Sequence, residues 1–271
     1  MTGANRGIGR ATAQGLAALG ARVILVARDK SAGEVAAAEI REATNNRAVD
    51  LLTADLSEQA QVRRLAADLL DHCPRIDVLV NNAGLIARHR TVTVDGIETV
   101  FAVNHLAYFL LTNLLLDRLK ASTPARIVDV ASEAHQGHVL DFDDLQLKRG
   151  WRPVKAYSLS KLANVMFTYE LARRLASTGV TVNCLHPGVI ATKLLLDYLP
   201  IPSVAQPVTT AFAGTPEQGA DTVLYLAASP DVAGVTGQYF ARRQPKKSTA
   251  FSYDDASARR LWDESARLTG L

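Results

Sequence analysis

Cysteine is scarce in this sequence of 271 residues. Only Cys73 and Cys184 occur, and they form neither a CxxC motif nor a pair at metal-ligand spacing. We therefore expect a protein of a reducing compartment that holds no metal ion.

Long hydrophobic runs are also lacking. The longest, LAYFLLTNLLL at 106–116, contains Thr and Asn and is shorter than the ~20 residues that span a bilayer. It predicts a buried helix instead. No signal-peptide pattern opens the sequence, so we expect a cytoplasmic protein without a membrane segment.

The sequence has little excess charge of either sign. Its net charge is +3 and its charged residues are scattered. The densest basic patch, Arg242-Arg243 with Lys246-Lys247, is typical of a solvated loop. These features argue against nucleic acid as a partner.

Strand and helix patterns alternate along the sequence. Short β-branched runs predict strands at 21–29, 48–55, 76–84, 125–134, 181–192 and 237–241. Helical patterns cover 11–20, 31–45, 57–73, 95–119, 156–176, 215–228 and 254–268, with Asp29, Ser57 and Thr215 as expected N-caps. We predict one α/β domain over residues 1–271, a doubly wound Rossmann fold with a parallel sheet flanked by helices.

Glycines at Gly3, Gly7 and Gly9 precede the first helix. Such a turn suits phosphate, because free N–H groups and the helix dipole point at the anion. The spacing is TGxxxGxG rather than GxGxxG, and a strand should precede it. Only Met1 precedes Thr2, so the usual first strand is missing; we expect the true start to lie upstream, or else a truncated and inactive chain.

The end of the strand at 21–29 carries Arg28 where NAD-binding folds place a carboxylate. Arg6, in the glycine turn, adds a second cation. The pair favours NADP(H) over NAD(H), although two surface arginines would give the same pattern. Asp55 ends the next strand, where open α/β sheets bind ligands.

Tyr157 and Lys161 lie four residues apart in a helical pattern, so their side chains share one helix face. A nearby ammonium lowers the pKa of a phenol, which makes the pair a candidate proton-transfer device. Alone, the pair is also typical of a solvated helix face. The turn Asn81-Asn82-Ala83-Gly84 and the polar Asn104 within an apolar run are equally open to structural or functional readings.

The ordered series TGANRGIG, NNAG, Asn104, Ser132, Tyr157-x-x-x-Lys161 and PGVIAT resembles the short-chain dehydrogenase/reductase family, in its compact single-domain form, over essentially the whole sequence. The runs NHLAYFLLTNLL and YSLSKLANVMFTYELARRL and the ending ARRLWDESARLTGL resemble its retinol dehydrogenase-like branch. The resemblance implies that Tyr157 is the acid/base catalyst, that Lys161 holds the nicotinamide ribose, that Ser132 binds the substrate oxygen and that Asn104 supports a water-linked proton relay. It implies a cofactor site made of Gly3, Asn5, Arg6, Gly7, Ile8, Gly9, Arg28, Asp55, Leu56, Asn82, Ala83, Gly84, Tyr157, Lys161, Pro187, Gly188, Val189 and Thr192.

We therefore expect an NADP(H)-dependent oxidoreductase acting on the hydroxyl or carbonyl of a small apolar molecule. The apolar, proline-rich segment 197–214 is typical of a substrate lid. The alternative is a non-catalytic NADP-binding or regulatory protein on the same fold. The resemblance also implies a homodimer or homotetramer, formed through the Tyr157 helix and the apolar helix at 104–119.

Overall fold

The computed structural model describes residues 1–190 and 214–271. The helices are α1 (Gly7–Ala18), α2 (Lys30–Thr44), α3 (Gln59–His72), α4 (Thr99–Ala121), α5 (Pro153–Arg174), α6 (Pro216–Ala228) and α7 (Asp255–Thr269). The strands are β1 (Val23–Ala27), β2 (Val49–Thr53), β3 (Val78–Asn81), β4 (Ala125–Val130), β5 (Val180–His186), β6 (Tyr239–Ala241) and β7 (Gln244–Pro245). The predicted alternation of strands and helices is confirmed. Strand β7 was not predicted, because two residues are too few to give a recognisable strand pattern.

The strands pair in parallel, except for the antiparallel pair β6–β7. β1 pairs with β2, and β3 to β7 pair in sequence order. Among the described residues, Met1 and Thr2 alone lie between β1 and β3. The Thr2 N–H donates to the Val80 carbonyl (3.0 Å), and the Val26 N–H donates to the Met1 carbonyl (2.8 Å). The two parts of the sheet are thereby joined at their carboxyl ends.

Helices cover both faces of this sheet. On one face, α1 and α6 pack together, with Leu16 and Val223 against Val80 and Leu185. On the other face, α3, α4 and α5 enclose the largest apolar cluster, which includes Phe109. The arrangement is the predicted doubly wound one, because crossovers between parallel strands place helices on alternate faces.

Helix caps follow the expected chemistry at two of three positions. Asp29 accepts a hydrogen bond from the Ala32 N–H (3.0 Å), and Thr215 forms a capping box with Gln218. The expectation for Ser57 is wrong, because α3 begins two residues later. The Asp95 carboxylate, distant in sequence, accepts from the Gln59 N–H instead (2.9 Å).

The apolar run at 106–116 belongs to α4, a helix of 23 residues. Its length and mean hydropathy of 1.5 would suffice to cross a membrane, but 78% of its most apolar window is buried inside the protein. The prediction of a buried helix is confirmed, and the helix lies at Thr99–Ala121 where the helical pattern predicted 95–119. A π-helical turn at Ala102–Leu106 interrupts the helix.

Candidate active site

The glycine turn leads directly into α1. Arg6 occupies the N-cap position with an extended backbone, and neither a capping side chain nor an acidic residue of the first turn competes for the free N–H groups. A Cβ at Gly9 would lie 2.1 Å from the Gly3 carbonyl oxygen, so only glycine fits there. The N-terminus of α1 is thus open to an anionic group such as a pyrophosphate.

The turn after β3 clamps this loop. The Asn82 amide donates to the carbonyls of Thr2 (2.9 Å) and Gly3 (3.2 Å). The Thr2 hydroxyl accepts from the N–H groups of Asn82 (2.9 Å) and Ala83 (3.1 Å). The Asn82 side chain is therefore committed to shaping the glycine turn. Thr2 is a residue that the sequence reasoning missed, since a threonine beside glycines carries no distinctive signal.

Arg28 and Asp55 come together at the carboxyl ends of β1 and β2. Their side chains form a long ion pair of 3.9 Å in which the Arg28 side chain is 74% exposed. Asp55 also accepts from the Ser57 N–H (2.9 Å) and hydroxyl (2.7 Å). Arg6 is exposed as well. Exposed ion pairs of this length are weak, so the Arg28 guanidinium is available to another anion.

Other predicted cofactor residues follow the same edge. Gly188 has a positive φ of 96° next to Pro187, and the Val189 carbonyl accepts from the Gly214 N–H (2.9 Å). Ile8 and Leu56 are partly buried and pack against the core, and Asn5 is half-buried. Thr192 lies outside the described residues, as does all of segment 197–214 except Gly214.

Tyr157 and Lys161 both lie on α5, with Ser132 just past the end of β4. The Lys161 ammonium donates to the Val130 carbonyl (2.7 Å) and lies 5.7 Å from the centroid of the Tyr157 ring. Burial lowers the pKa of Lys161 to about 8, and the charge of Asp129 opposes this shift. The structure thus brings together three of the four side chains that the family resemblance marks as catalytic; the fourth is Asn104.

The lowering of the Tyr157 pKa by Lys161 stays a prediction, because it is expected only with the cofactor against the pair. Burial raises the pKa of the Tyr157 phenol, and the nearby Ser132 hydroxyl only partly offsets that rise. The physical reason is that desolvation penalises a phenolate, while the ammonium is bound to a backbone carbonyl. Tyr157 is therefore a protonated phenol at neutral pH.

Asn104 lies in the π-helical turn and is completely buried. Its side chain accepts from the Leu85 N–H (2.8 Å) and donates to the Leu85 carbonyl (2.9 Å) and the Ser160 hydroxyl (3.0 Å). Its backbone carbonyl accepts from the Asn164 amide (2.8 Å). These contacts fix the chain after Gly84 beside α5, and the water-linked relay stays a prediction.

Three further polar residues meet the site without having been predicted. The Tyr108 hydroxyl donates to the Ala83 carbonyl (2.8 Å), and its ring centroid lies 5.7 Å from the Lys161 ammonium. Asn164 is buried one turn after Lys161, and Asp129 is buried within β4. Two sequence signals could have identified Asp129 and Asn164. They are a carboxylate inside the apolar run RIVDVA and an amide inside the buried part of α5.

The sequence of this chain is similar to a known protein family and to several of its members. Residues 1–198 match the family model for short chain dehydrogenase. The whole chain aligns with 85% of retinol dehydrogenase 14 of Mus musculus at 45% identity and with 84% of retinol dehydrogenase 13 of Homo sapiens at 44% identity.

Solved structures are similar to this chain in both sequence and fold. An uncharacterised protein from Mycobacterium Paratuberculosis is 36% identical, with a TM-score of 0.80 over 99% of this chain and 91% of that one. The RhlG/NADP active-site complex of Pseudomonas aeruginosa is 29% identical, with a TM-score of 0.72 over 93% of this chain and 94% of that one. Together with the site geometry, these matches show that the chain belongs to the short-chain dehydrogenase/reductase family of oxidoreductases, in its retinol dehydrogenase-like branch.

Proposed function

We propose that the protein is an NADP(H)-dependent oxidoreductase that interconverts a hydroxyl and a carbonyl group on a small apolar molecule, with Tyr157 as the acid/base. The observation that carries the proposal is the position of the Tyr157 phenol. It is half-buried, one helical turn before a buried lysine and beside the Ser132 hydroxyl. The turn at Asn82–Gly84 connects this point with the glycine loop, since a Cβ at Gly84 would lie 3.6 Å from the Lys161 ammonium.

The residues present fit a nicotinamide dinucleotide. Gly3, Gly7 and Gly9 would hold the pyrophosphate, because they leave the N-terminus of α1 open and uncapped. When bound, such a cofactor supplies or accepts a hydride. The protein must then orient the substrate oxygen and move one proton.

Ser132 and Tyr157 can orient the substrate oxygen and move the proton. The Ser132 hydroxyl can donate a hydrogen bond to the substrate oxygen, and Tyr157 can protonate that oxygen as negative charge develops on it. Because burial raises the pKa of Tyr157, the phenol holds its proton at neutral pH and is ready to act as an acid.

Replacing Tyr157 tests the chemistry. We expect the wild-type protein to oxidise NADPH with at least one member of a panel of aldehydes, ketones and quinones. Tyr157→Phe should lower kcat by about 100-fold or more, because it removes the proton donor, while NADPH affinity in a fluorescence titration is retained. Tyr225→Phe, which alters a tyrosine on α6 facing Arg243, is the matched control and should keep full turnover.

Two outcomes would contradict this assignment. If Tyr157→Phe keeps more than a few per cent of wild-type turnover, Tyr157 is not the acid. If the wild-type protein binds NADPH but reduces nothing in a broad panel, the non-catalytic alternative is supported instead.

The preference for NADP(H) rests on Arg28 and Arg6. Both side chains are exposed, Arg28 directly after β1 and Arg6 in the glycine turn, and Arg28 forms a long ion pair with Asp55. A guanidinium pairs well with phosphate oxygens. The similar protein of Pseudomonas aeruginosa was solved with NADP.

We expect Arg28→Ala to raise KM for NADPH by roughly tenfold or more, as loss of a charge-assisted hydrogen bond does, and to leave KM for NADH nearly unchanged. Arg22→Ala is the matched control, because Arg22 precedes β1 at its opposite end and is paired with Asp50. Steady-state kinetics with both cofactors measures the effect. An equal loss for NADPH and NADH would reject the role of Arg28 in recognising the 2′-phosphate.

Two observations support an apolar substrate. Similar proteins are named for retinol, an apolar alcohol, and the segment at 197–214 contains several apolar residues and prolines. The same reductase panel, extended to apolar aldehydes of increasing chain length, measures this preference. A kcat/KM that falls with chain length would reject it.

A further inference from the structure

A carboxylate is buried beneath the catalytic helix. Asp129 on β4 has no exposed surface. One of its oxygens accepts from the Asn81 amide of β3 (2.8 Å), and the other accepts from the Thr168 hydroxyl of α5 (2.9 Å). The Asn81 amide also donates to the Thr112 hydroxyl of α4 (3.0 Å). Buried carboxylates are costly unless they are hydrogen-bonded or paired with a charge, and this one accepts hydrogen bonds from two neighbouring elements, β3 and α5.

Asp129 stands one residue before Val130, whose carbonyl accepts the Lys161 ammonium (2.7 Å). The other titratable groups that face the two charges are Tyr108 of α4 and Tyr157 of α5, near Lys161, and Cys184 of β5, near Asp129. Burial raises the pKa of all three, so they are neutral around pH 7. Within the described ranges, Asp129 is the one carboxylate whose charge acts on Lys161.

We infer that Asp129 is a positioning residue of the proposed reaction: its buried carboxylate keeps Lys161 in the ammonium form. The inference rests on the proposed function of Lys161 beside Tyr157. The anion that balances the Lys161 ammonium is thus the Asp129 carboxylate, which lies in the core of the sheet below the site.

The electrostatics of the pair agree with this role. Burial lowers the pKa of Lys161 to about 8, with the charge of Asp129 opposing the shift. Burial raises the pKa of Asp129 to about 6, opposed by its hydrogen bonds from Asn81 and Thr168 and by the charge of Lys161. Both groups are therefore ionised between about pH 6 and about pH 8. Without the carboxylate, no nearby anion offsets the desolvation of Lys161, and its proton is released closer to neutral pH.

Asp129→Asn is a conservative way to remove the charge. The Asn81 side-chain oxygen is buried without a hydrogen-bond partner, so a rotated amide at position 81 can accept from a new amide at position 129. Thr112→Val is the matched control. It removes a hydrogen bond from the same cluster but leaves the carboxylate and both of its direct partners in place.

The first experiment measures Lys161 directly by NMR titration of protein labelled with ¹³C at the lysine Cε. We expect the pKa of Lys161 to fall by about one pH unit or more in Asp129→Asn, the size of shift that one opposite charge nearby produces. The alkaline limb of the kcat/KM profile for NADPH-dependent reduction should move to lower pH by the same amount. Thr112→Val should leave the pKa of Lys161 and the alkaline limb of the kcat/KM profile at their wild-type values.

A reciprocal measurement does not require the Asp129 variant to fold. Coupling between two charges is mutual, so Lys161→Met should raise the pKa of the ¹³C-labelled Asp129 carboxyl above its wild-type value. An unchanged Lys161 titration in Asp129→Asn, or an unchanged Asp129 titration in Lys161→Met, would overturn the inference. Neither titration needs turnover, so a wild-type protein that reduces no substrate would reject the proposed function while leaving this charge coupling measurable.

Discussion

Single residues in this protein carry several functions at once. Gly9 is an example, because the space above its Cα is already filled by the Gly3 carbonyl oxygen at 2.1 Å and the Asn82 amide nitrogen at 2.6 Å from a Cβ position. Backbone atoms cannot move aside as a flexible side chain can. The same atom positions that leave the N-terminus of α1 open for a phosphate therefore exclude every side chain at position 9.

We predict that Gly9→Ala lowers NADPH affinity by at least roughly tenfold, because the glycine turn must shift to relieve the clash. Gly15→Ala is the control on the same helix. A Cβ there would meet only the methyl groups of Leu224 (2.6 Å), which can rotate away. Fluorescence titration with NADPH compares the two variants, and equal affinities would contradict the role of the turn.

At the scale of elements, the C-terminal helix reaches the active site through a chain of buried polar groups. The Asn164 amide nitrogen donates to the Asn104 carbonyl, which leaves its oxygen 3.3 Å from Nδ1 of His105. Nε2 of His105 lies 2.9 Å from the Ser265 hydroxyl of α7, which donates to the Leu261 carbonyl (2.7 Å). Helix α7, α5 and the π-helical turn of α4 are thereby held in one arrangement.

The burial of His105 predicts a pH dependence of stability. Its folded pKa is lowered to about 4 from its ordinary value of 6.5, because burial disfavours the charged ring. A lowered histidine pKa stabilises the fold above pH 6.5, and this stabilisation is lost as pH falls from 6.5 toward 4. Between about pH 7.5 and about pH 5 the loss amounts to about 2 kcal/mol.

Urea unfolding of His105→Gln and wild-type protein at both pH values measures this contribution. The wild-type free energy of unfolding should fall by about 2 kcal/mol more than that of the variant, whatever the other groups contribute to both. Parallel pH dependences would show that His105 is not the buried neutral ring described above.

At the scale of the whole molecule, α7 covers the outer surfaces of α4 and α5. Trp262 stacks on Phe167 of α5 (centroids 5.8 Å apart) and meets the edge of Phe109 of α4 (4.9 Å). The Arg174 guanidinium lies 4.1 Å above the other side of the indole. The dimer or tetramer expected through these two helices stays a prediction, and any such interface must accommodate α7.

We predict that Trp262→Ala lowers the free energy of unfolding by about 3 kcal/mol, near the lower end for loss of a large aromatic because the ring is only partly buried. Trp262→Phe should cost clearly less, since a ring still fills the space between Phe109 and Phe167. Chemical denaturation measures both values. Equal losses for the two variants would show that the aromatic packing of α7 is not what stabilises this side of the molecule.

The element order was readable from the sequence alone, because local periodicity encodes it, and the family resemblance pointed to Ser132, Tyr157 and Lys161 as the proposed catalytic residues. Contacts between distant segments were not readable from the sequence. Asp95 replaces Ser57 at the start of α3, and Thr2 fastens the turn after β3. Each of these depends on which segments the fold brings side by side.

The charge states of the site show the same division. The sequence places a lysine near a tyrosine and so suggests a lowered phenol pKa. Only the tertiary structure shows that burial raises the pKa of Tyr157 and that the Lys161 ammonium is bound to the Val130 carbonyl. It also places Asp129 beneath that lysine. Residue identities determine which groups can titrate, whereas desolvation and neighbouring charge, which set their pKa values, exist only once the chain is packed.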